Sequence, residues 1–231
     1  MPDLDPHHRS PHFTASPALS FCVLEGTVIV LDIVADRYFA LGAERGGKIL
    51  ASLAGKDDLD RLPVSGVALT GDRFAGAIYV IRKKLAPPAR NFSAQARPRQ
   101  IPLIVETWRA LWLQIAAIGR LKALGFERTL HWATHHGAGK KSAQNGRERD
   151  GETVIRAHRW ARSNLPFKGV CLPASLALSR ALGQAGTNYA LVVGVKLNPF
   201  AAHCWVQAGD MVLNDDLETI RAFTPIRVVR G

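Results

Sequence analysis

The sequence is poor in cysteine, in acidic residues and in long apolar runs. Its cysteines, Cys22, Cys171 and Cys204, are too few and too widely spaced in 231 residues for a disulfide framework, so a reducing compartment is expected. The longest apolar stretch, residues 103–119, is interrupted by charges and is shorter than the roughly 20 residues of a membrane span. The first residues lack the apolar core of a secretory signal. We therefore expect a cytoplasmic protein without a membrane span.

The shortage of acidic residues leaves a strongly basic chain. Thirty Lys and Arg oppose 19 Asp and Glu, for a net charge of +11, while 47% hydrophobic and 21% charged residues are typical of a packed globular protein. Residues 86–101 carry three of the excess charges and residues 137–151 carry two. Since the excess is not concentrated on one helix, as groove reading requires, we expect no nucleic-acid partner.

The first part of the chain has the pattern of a small sheet with helices. Residues 1–17 are expected to be a flexible N-terminus, and residues 18–85 to form a domain. β-Branched and aromatic residues predict three strands, near residues 20–24, 27–32 and 37–41. Apolar residues at helical spacing then predict helices at 44–53 and 71–85. The proline-rich segment 86–101 is interpreted as an interdomain linker.

The remainder, residues 102–231, has helices first and strands last. Helical spacing predicts helices near residues 103–124, 152–164 and 169–186, followed by strands near 188–196, 203–208 and 211–214. Trp108, Trp112, Trp132 and Trp160 are interpreted as core or domain-docking residues rather than a base-stacking platform. This order indicates the α+β class for the whole chain.

Three polar positions of this second domain could form a thiol site. Cys171 begins a predicted helix, whose dipole favours the thiolate, and His203 begins a predicted strand. The next strand ends in Asp215 and Asp216. A three-residue turn would set Asp215 opposite His203, whereas a two-residue turn would set Asp216 there, so register leaves both acids open. The order of thiol, imidazole and carboxylate fits a thiol hydrolase.

Three strings around these positions resemble a known family: CLPASLAL from Cys171, LVVGVKLNPFAAHCWVQ around His203, and VLND, which ends at Asp215. They resemble the B-type leader peptidases of lasso peptide biosynthesis, of the microcin J25 type, within the transglutaminase-like, papain-related cysteine peptidases. The resemblance implies Cys171 as nucleophile, His203 as base and Asp215, rather than Asp216, as orienting acid. Cys204 stands where the family would have alanine, and this second thiol is expected to complicate labelling.

The N-terminal domain resembles the PqqD-like recognition elements that bind leader peptides of ribosomal precursors, which are winged-helix-like modules. The resemblance implies that a leader adds as a strand to the edge of the third strand, beside a helix. The residues concerned are Arg37, Tyr38, Phe39, Ala40 and Leu41.

Together the resemblances imply a leader peptidase with a Cys-His-Asp triad. The enzyme would bind a precursor peptide, hydrolyse the bond between leader and core, and deliver the core to an asparagine-synthetase-like macrolactam cyclase. ATP dependence is implied without an assignable site. No metal is expected, because His131, His135 and His136 lack a completing acid or thiol. The alternatives are a transglutaminase-like acyl transferase and a winged-helix nucleic-acid-binding protein.

Overall fold

A computed structural model describes residues 12–16, 18–53, 61–64, 78–83, 85–93, 102–135, 150–164 and 171–231. The chain divides into two compact units. The first comprises residues 1–85, 193–202 and 221–228, and the second comprises residues 86–192, 203–220 and 229–231.

Eleven strands and five helices are found in the described residues. The strands are β1 (His12–Thr14), β2 (Leu19–Leu24), β3 (Thr27–Asp32), β4 (Arg37–Ala40), β5 (Arg61–Val64), β6 (Ile78–Lys83), β7 (Arg90–Asn91), β8 (Ala190–Lys196), β9 (Ala201–Ala208), β10 (Met211–Val212) and β11 (Thr224–Arg230). The helices are α1 (Ala43–Leu53), α2 (Pro102–Thr134), α3 (Gly151–Asn164), α4 (Cys171–Gln184) and α5 (Leu217–Arg221). The α+β class is confirmed.

The first sheet has six strands in the order β4-β3-β2-β1-β6-β5. The predicted strands β2, β3 and β4 form its antiparallel end, with Val30 opposite Phe39. One face of these strands packs on α1 around Phe13, Phe21, Val30 and Ile49, all nearly inaccessible to water. This face supplies the hydrophobic core of the module.

Two predictions for this region were wrong. The helix expected at 71–85 is replaced over Ile78–Lys83 by β6, which pairs with β1 and β5, and residues 71–77 lie outside the described residues. The flexible N-terminus was expected to reach residue 17, but β1 pairs with β2 and buries Phe13. The two strands also pair with each other across about seventy residues, and such pairing, which a local pattern does not show, overrides local preference.

The second sheet has the order β11-β8-β9-β10-β7. Its last strand comes from the segment interpreted as a linker, because Arg90 and Asn91 pair in parallel with β10. The Nε of Arg90 also lies 3.1 Å from a carboxylate oxygen of Asp210. Segment 86–101 is therefore in part a sheet strand, and one of its arginines has an acidic partner.

The helices of the second unit pack around α4. Helix α2 contacts both α3 and α4, and it bends at Gly125, where φ of 77° suits glycine. Helix α4 is the most deeply placed, with Leu176, Leu178 and Leu182 wholly buried. Cys171 lies at the first residue of this helix, which fixes its backbone against the sheet. Across the described ranges, no helix is long and apolar enough to cross a membrane.

Candidate active site

Cys171 lies at the start of α4, as the sequence predicts, with its side chain partly accessible. Its thiol is in hydrogen-bonding contact with the His203 ring and with the backbone N–H groups of Leu172 and Cys204. The sulfur thus lies between the first turn of α4 and strand β9. This position provides donors that stabilise a thiolate.

His203 is the third residue of β9, and its imidazole joins the thiol to a carboxylate. Its Nε2 lies 2.7 Å from Oδ2 of Asp215, a side chain that is only 5% exposed. That contact leaves Nδ1 as the ring nitrogen for the Cys171 thiol. The ring of Trp205, two residues further on the same strand, lies nearly parallel at 6.5 Å between centroids. The structure therefore brings Cys171, His203 and Asp215 into one connected group.

Asp215 reaches His203 by leaving the strand. Met211 pairs with Ala208 and Val212 pairs with Gln207, which is the register of a two-residue turn. Continued as a ladder, that register would place Asp216 opposite His203. The strand β10 ends at Val212, however, and the following residues turn so that Asp215 makes the contact. The side chain of Asp216 is instead 68% exposed.

Two arginines of α3 hold this turn. Arg162 contacts Oδ2 of Asp215 at 2.9 Å through Nη1, which also donates to the carbonyl of Asn214. Arg159 donates to the carbonyls of Leu213 and Asp215 at 3.3 and 3.4 Å. The carboxylate of Asp215 additionally accepts the backbone N–H of Asp216 at 2.9 Å. These contacts orient a buried carboxylate that already has His203 as its partner.

A buried polar chain connects α4 to β9 and to the same turn. The Ser175 hydroxyl donates to the carbonyl of Cys204 at 2.8 Å and accepts from the Asn214 side-chain amide at 2.8 Å. Asn214 also accepts the backbone N–H of Val206 at 2.8 Å. Sequence reasoning missed Ser175 and Arg162 as contributors. Ser175 stands four residues after Cys171, on the same helix face, and this spacing was the available signal.

The three groups shift one another's pKa values. Burial acts to raise the pKa of Cys171, but the hydrogen bond and charge of His203, with two backbone N–H groups, bring it below its usual value. Burial likewise opposes charge on His203, yet Asp215 and Cys171 raise the pKa of His203 to about 9. Burial would raise the pKa of Asp215, whereas His203, the Asp216 N–H and Arg162 lower it. The lowered pKa of the thiol and the raised pKa of the imidazole favour a thiolate–imidazolium pair, with the carboxylate of Asp215 behind it.

The other two thiols have the opposite character. Cys204 is fully buried, and this burial raises its pKa far above the usual range, while burial raises the pKa of Cys22 to about 12. Both therefore stay protonated at neutral pH, and a protonated buried thiol reacts poorly. Cys204 is consequently not expected to complicate labelling, contrary to the expectation from the sequence.

The residues predicted to bind a leader lie at the end of the first sheet. Strand β4 is terminal in the strand order, and the Leu41 N–H donates to the carbonyl of Val28 at 2.9 Å. Because antiparallel pairs alternate, the backbone groups of Tyr38 and Ala40 point to the free edge. The side chain of Phe39 packs on the core, and Leu41 is buried.

A concavity lies where β4 meets α1. It has a volume of about 390 Å³ and is lined by residues 39–45, from Phe39 to Arg45. Ala40, whose backbone points to the free edge, is exposed in this lining. The first unit thus combines an open strand edge with an adjoining hollow.

The remaining candidate cluster is the histidine pair on α2. The rings of His131 and His135 stack at 3.9 Å between centroids, and His136 lies outside the described residues. Within the part of the chain that the structure describes, no group of three His, Cys, Asp or Glu side chains could hold a metal ion.

Comparison with known proteins agrees with this geometry. Residues 115–228, which contain Cys171, His203 and Asp215, match the family model described as the transglutaminase-like superfamily. A stretch of 49 residues is 45% identical to the microcin J25-processing protein McjB of Escherichia coli, and it covers 21% of this chain and 24% of that protein. No solved structure matches significantly. Residues 115–228 thus match the transglutaminase-like superfamily, as the sequence implied, and part of the chain is similar to a microcin J25-processing protein.

Proposed function

We propose that the protein is a cysteine peptidase that removes the leader from a ribosomal precursor peptide during lasso peptide maturation. The observation that carries the proposal is the connected group of Cys171, His203 and Asp215 in a transglutaminase-like domain. The similarity to a microcin J25-processing protein supports the substrate class.

The thiolate of Cys171 attacks the carbonyl carbon of the bond between leader and core. A C–S bond forms, and the oxyanion is stabilised by backbone N–H groups at the first turn of α4. The C–N bond then breaks, the imidazolium of His203 transfers its proton to the departing amine, and the core leaves with a free N-terminus. The leader remains attached to Cys171 as a thioester.

Hydrolysis completes the cycle. His203, now neutral, takes a proton from water, and the hydroxide attacks the thioester carbonyl. The C–S bond breaks, the leader leaves as a carboxylic acid that gives its proton to solvent, and the thiolate–imidazolium pair is restored. Asp215 holds the imidazole ring and favours its charged form throughout.

The leader binds to the first unit as an additional strand on β4. Its main chain pairs with the outward-pointing backbone groups of Ala40, and one leader side chain occupies the hollow lined by residues 39–45. The freed amine of the core suits a macrolactam cyclase of the asparagine-synthetase type as the next enzyme. The use of ATP belongs to the same proposal, and its site is not assigned.

Cleavage of a purified precursor by matched cysteine variants tests the proposal. Cys171→Ala is expected to abolish cleavage, with leader affinity retained. Cys204→Ala, which removes the neighbouring buried thiol, should keep cleavage near the wild-type rate because the Cys204 thiol stays protonated. Precursor processing by Cys171→Ala would overturn the assignment.

Acyl transfer to an amine is the second candidate function, because the domain matches the transglutaminase-like superfamily. The masses of the products distinguish hydrolysis from acyl transfer. Hydrolysis leaves a free carboxylate on the leader, so the two products together weigh the precursor plus one water. A leader joined to an added amine would instead show the acyl transferase.

A further inference from the structure

Helix α2 is apolar on two opposite faces. Ala110 and Ala117 are fully buried on the side that packs within the second unit. On the other side, the exposed fractions are 64% for Ile104, 65% for Val105, 71% for Trp108, 68% for Trp112 and 50% for Ile115. A surface helix ordinarily turns polar residues to water on its outer face. Within the described residues, the second apolar face of α2 is therefore left exposed to water.

A groove runs beside this exposed face. It has a volume of about 610 Å³ and is lined by Ile104, Thr107, Trp108 and Leu111 of α2 and by Arg156 and Trp160 of α3. Trp160 is 53% exposed. The cation of Arg156 is paired with Glu152 at 2.7 Å, so the groove presents an apolar rather than a basic lining.

The exposed apolar area matches one half of a stable interface. A fully exposed tryptophan has an accessible area of about 250 Å², and an aliphatic residue has about 180 Å². With their exposed fractions, the five α2 residues and Trp160 together have roughly 800 Å² of accessible area. The largest apolar patch of a typical monomer is about 300–600 Å². A standard protein interface buries about 800 Å² on each partner.

The spacing of the exposed stripe is symmetric. The exposed Ile104, Trp108 and Ile115, together with the half-buried Leu111 that lines the groove, are separated by four, three and four residues. When two such helices run antiparallel about a two-fold axis, Ile104 lies opposite Ile115 of the other copy, and Trp108 lies opposite its Leu111. On one flank of the stripe, Trp112 then lies beside Val105 of the other copy, and both residues are largely exposed. A two-fold interface requires this kind of self-complementarity.

We infer that a second copy of this chain covers the exposed stripe of α2, with the two α2 helices antiparallel and each Trp112 packed against Val105 of the other copy. The packing is that of knobs into holes, with aromatic anchors at its centre. Because the stripe is apolar and each copy carries +11, added salt screens the repulsion and strengthens the dimer. The inference does not depend on the proposed peptidase activity.

Analytical ultracentrifugation of the full chain tests this dimer, from low to high micromolar concentration and at two salt concentrations. Wild type is expected to dimerise, and more tightly at the higher salt. Trp112→Glu is expected to raise the dissociation constant at least about tenfold, since it places a charge in the centre of the interface. The matched control is Leu124→Glu, which alters an exposed apolar residue of the same helix outside the stripe. The control should dimerise like wild type.

Trp108→Glu provides a second substitution in the stripe, with the same expected loss. Circular dichroism and thermal unfolding of each variant show whether a monomeric variant is still folded. A wild-type chain that stays monomeric at high concentration would overturn the inference. A dimer that tolerates both tryptophan substitutions, or that Leu124→Glu disrupts equally, would overturn it as well.

Discussion

His203 is paired with Asp215, at 2.7 Å between Nε2 and Oδ2, although the register of the adjoining strands points to Asp216. The choice between the two acids follows from the turn after β10. Arg159, Arg162 and the Asn214 side chain hold this turn so that the first acid is buried and the second faces solvent. The roles of Asp215 and Asp216 can be distinguished by substitution, because one side chain is buried and the other is exposed.

Substitution of Asp215 should affect both the rate and its pH dependence. Asp215→Ala removes the partner of the imidazole and is expected to lower kcat by about a hundredfold, within the usual range for a proton-transfer group. Asp215→Asn keeps a hydrogen-bond acceptor but removes the charge. Since this carboxylate helps to raise the pKa of His203 to about 9, the alkaline limb of activity should move to lower pH. Rates of precursor cleavage across pH 5–10 measure both effects.

Asp216→Asn is the matched control for this prediction. Its carboxylate lies 3.8 Å from Arg159 and is largely exposed, so the loss of its charge should leave the pH profile unchanged. If Asp216→Asn impaired cleavage as strongly as Asp215→Ala, the assignment of the orienting acid would be wrong.

The reactivity of the thiol should reveal the ion pair directly. Cys171 has a lowered pKa, so alkylation by iodoacetamide is expected to proceed well below the pH at which an ordinary thiol ionises. As pH falls through that lowered pKa, the thiolate is protonated and the rate declines. In His203→Ala, the hydrogen bond and charge that lower the pKa are gone, so the rate profile should move to higher pH.

Cys171→Ala supplies the background for the alkylation measurement. Cys22 and Cys204 are buried with raised pKa values, and the variant should therefore incorporate almost no label at neutral pH while folded. Equal alkylation of wild type and His203→Ala at every pH would argue against the thiolate–imidazolium pair.

The parts of the fold that could be predicted are those whose signal is local. Strands β2, β3 and β4 and helices α1, α3 and α4 lie close to their expected positions because periodicity and turns mark them within a few residues. Strands β1, β6 and β7 were missed: β7 and β6 pair with strands far along the chain, and β1 pairs with β6 as well as with its neighbour β2. Trp108 and Trp112, interpreted as core or docking residues, are largely exposed, because periodicity reveals an apolar face without showing whether the protein covers it.

The candidate site shows the same division. Cys171 could be predicted because it begins a helix, and His203 because it begins a strand. The structure brings these two residues together. The supporting side chains Asn214 and Arg162 depend on the packing of α3 against the turn after β10, for which the chain has no short-range signal. Ser175 was marked only by its spacing from Cys171. The resemblance to a family, rather than the register, was what favoured Asp215.

Two buried serines of α4 offer a paired test of the polar chain. Ser175→Ala leaves the Asn214 amide and the Cys204 carbonyl without their partner and is expected to lower the free energy of unfolding by about 1–3 kcal/mol. Cleavage should slow as well, because the lost hydroxyl connects α4 to the strand that carries His203. Chemical denaturation and kcat of the same preparation measure the two effects.

Ser179→Ala is the control, one helical turn further along α4. The Ser179 hydroxyl is buried and makes no hydrogen bond to the described residues. Its removal relieves an unsatisfied polar group, so stability should be unchanged or slightly higher. A Ser175→Ala variant as stable and as active as Ser179→Ala would show that the polar chain contributes little.

The free edge of β4 can be tested through its backbone. Ala40 is exposed and its N–H points away from β3, so Ala40→Pro removes a donor that an added strand needs while sparing the existing ladder. Leader affinity, measured by fluorescence anisotropy of a labelled leader peptide, is expected to fall at least tenfold, by about 1.4 kcal/mol or more. Ala40→Thr keeps the N–H and a β-preferring side chain, and it should bind nearly as wild type does. Alkylation of Cys171 should be the same in both variants, because the thiol site is not altered. Unchanged leader binding by a folded Ala40→Pro protein would exclude strand addition at β4 and would leave the peptidase assignment standing.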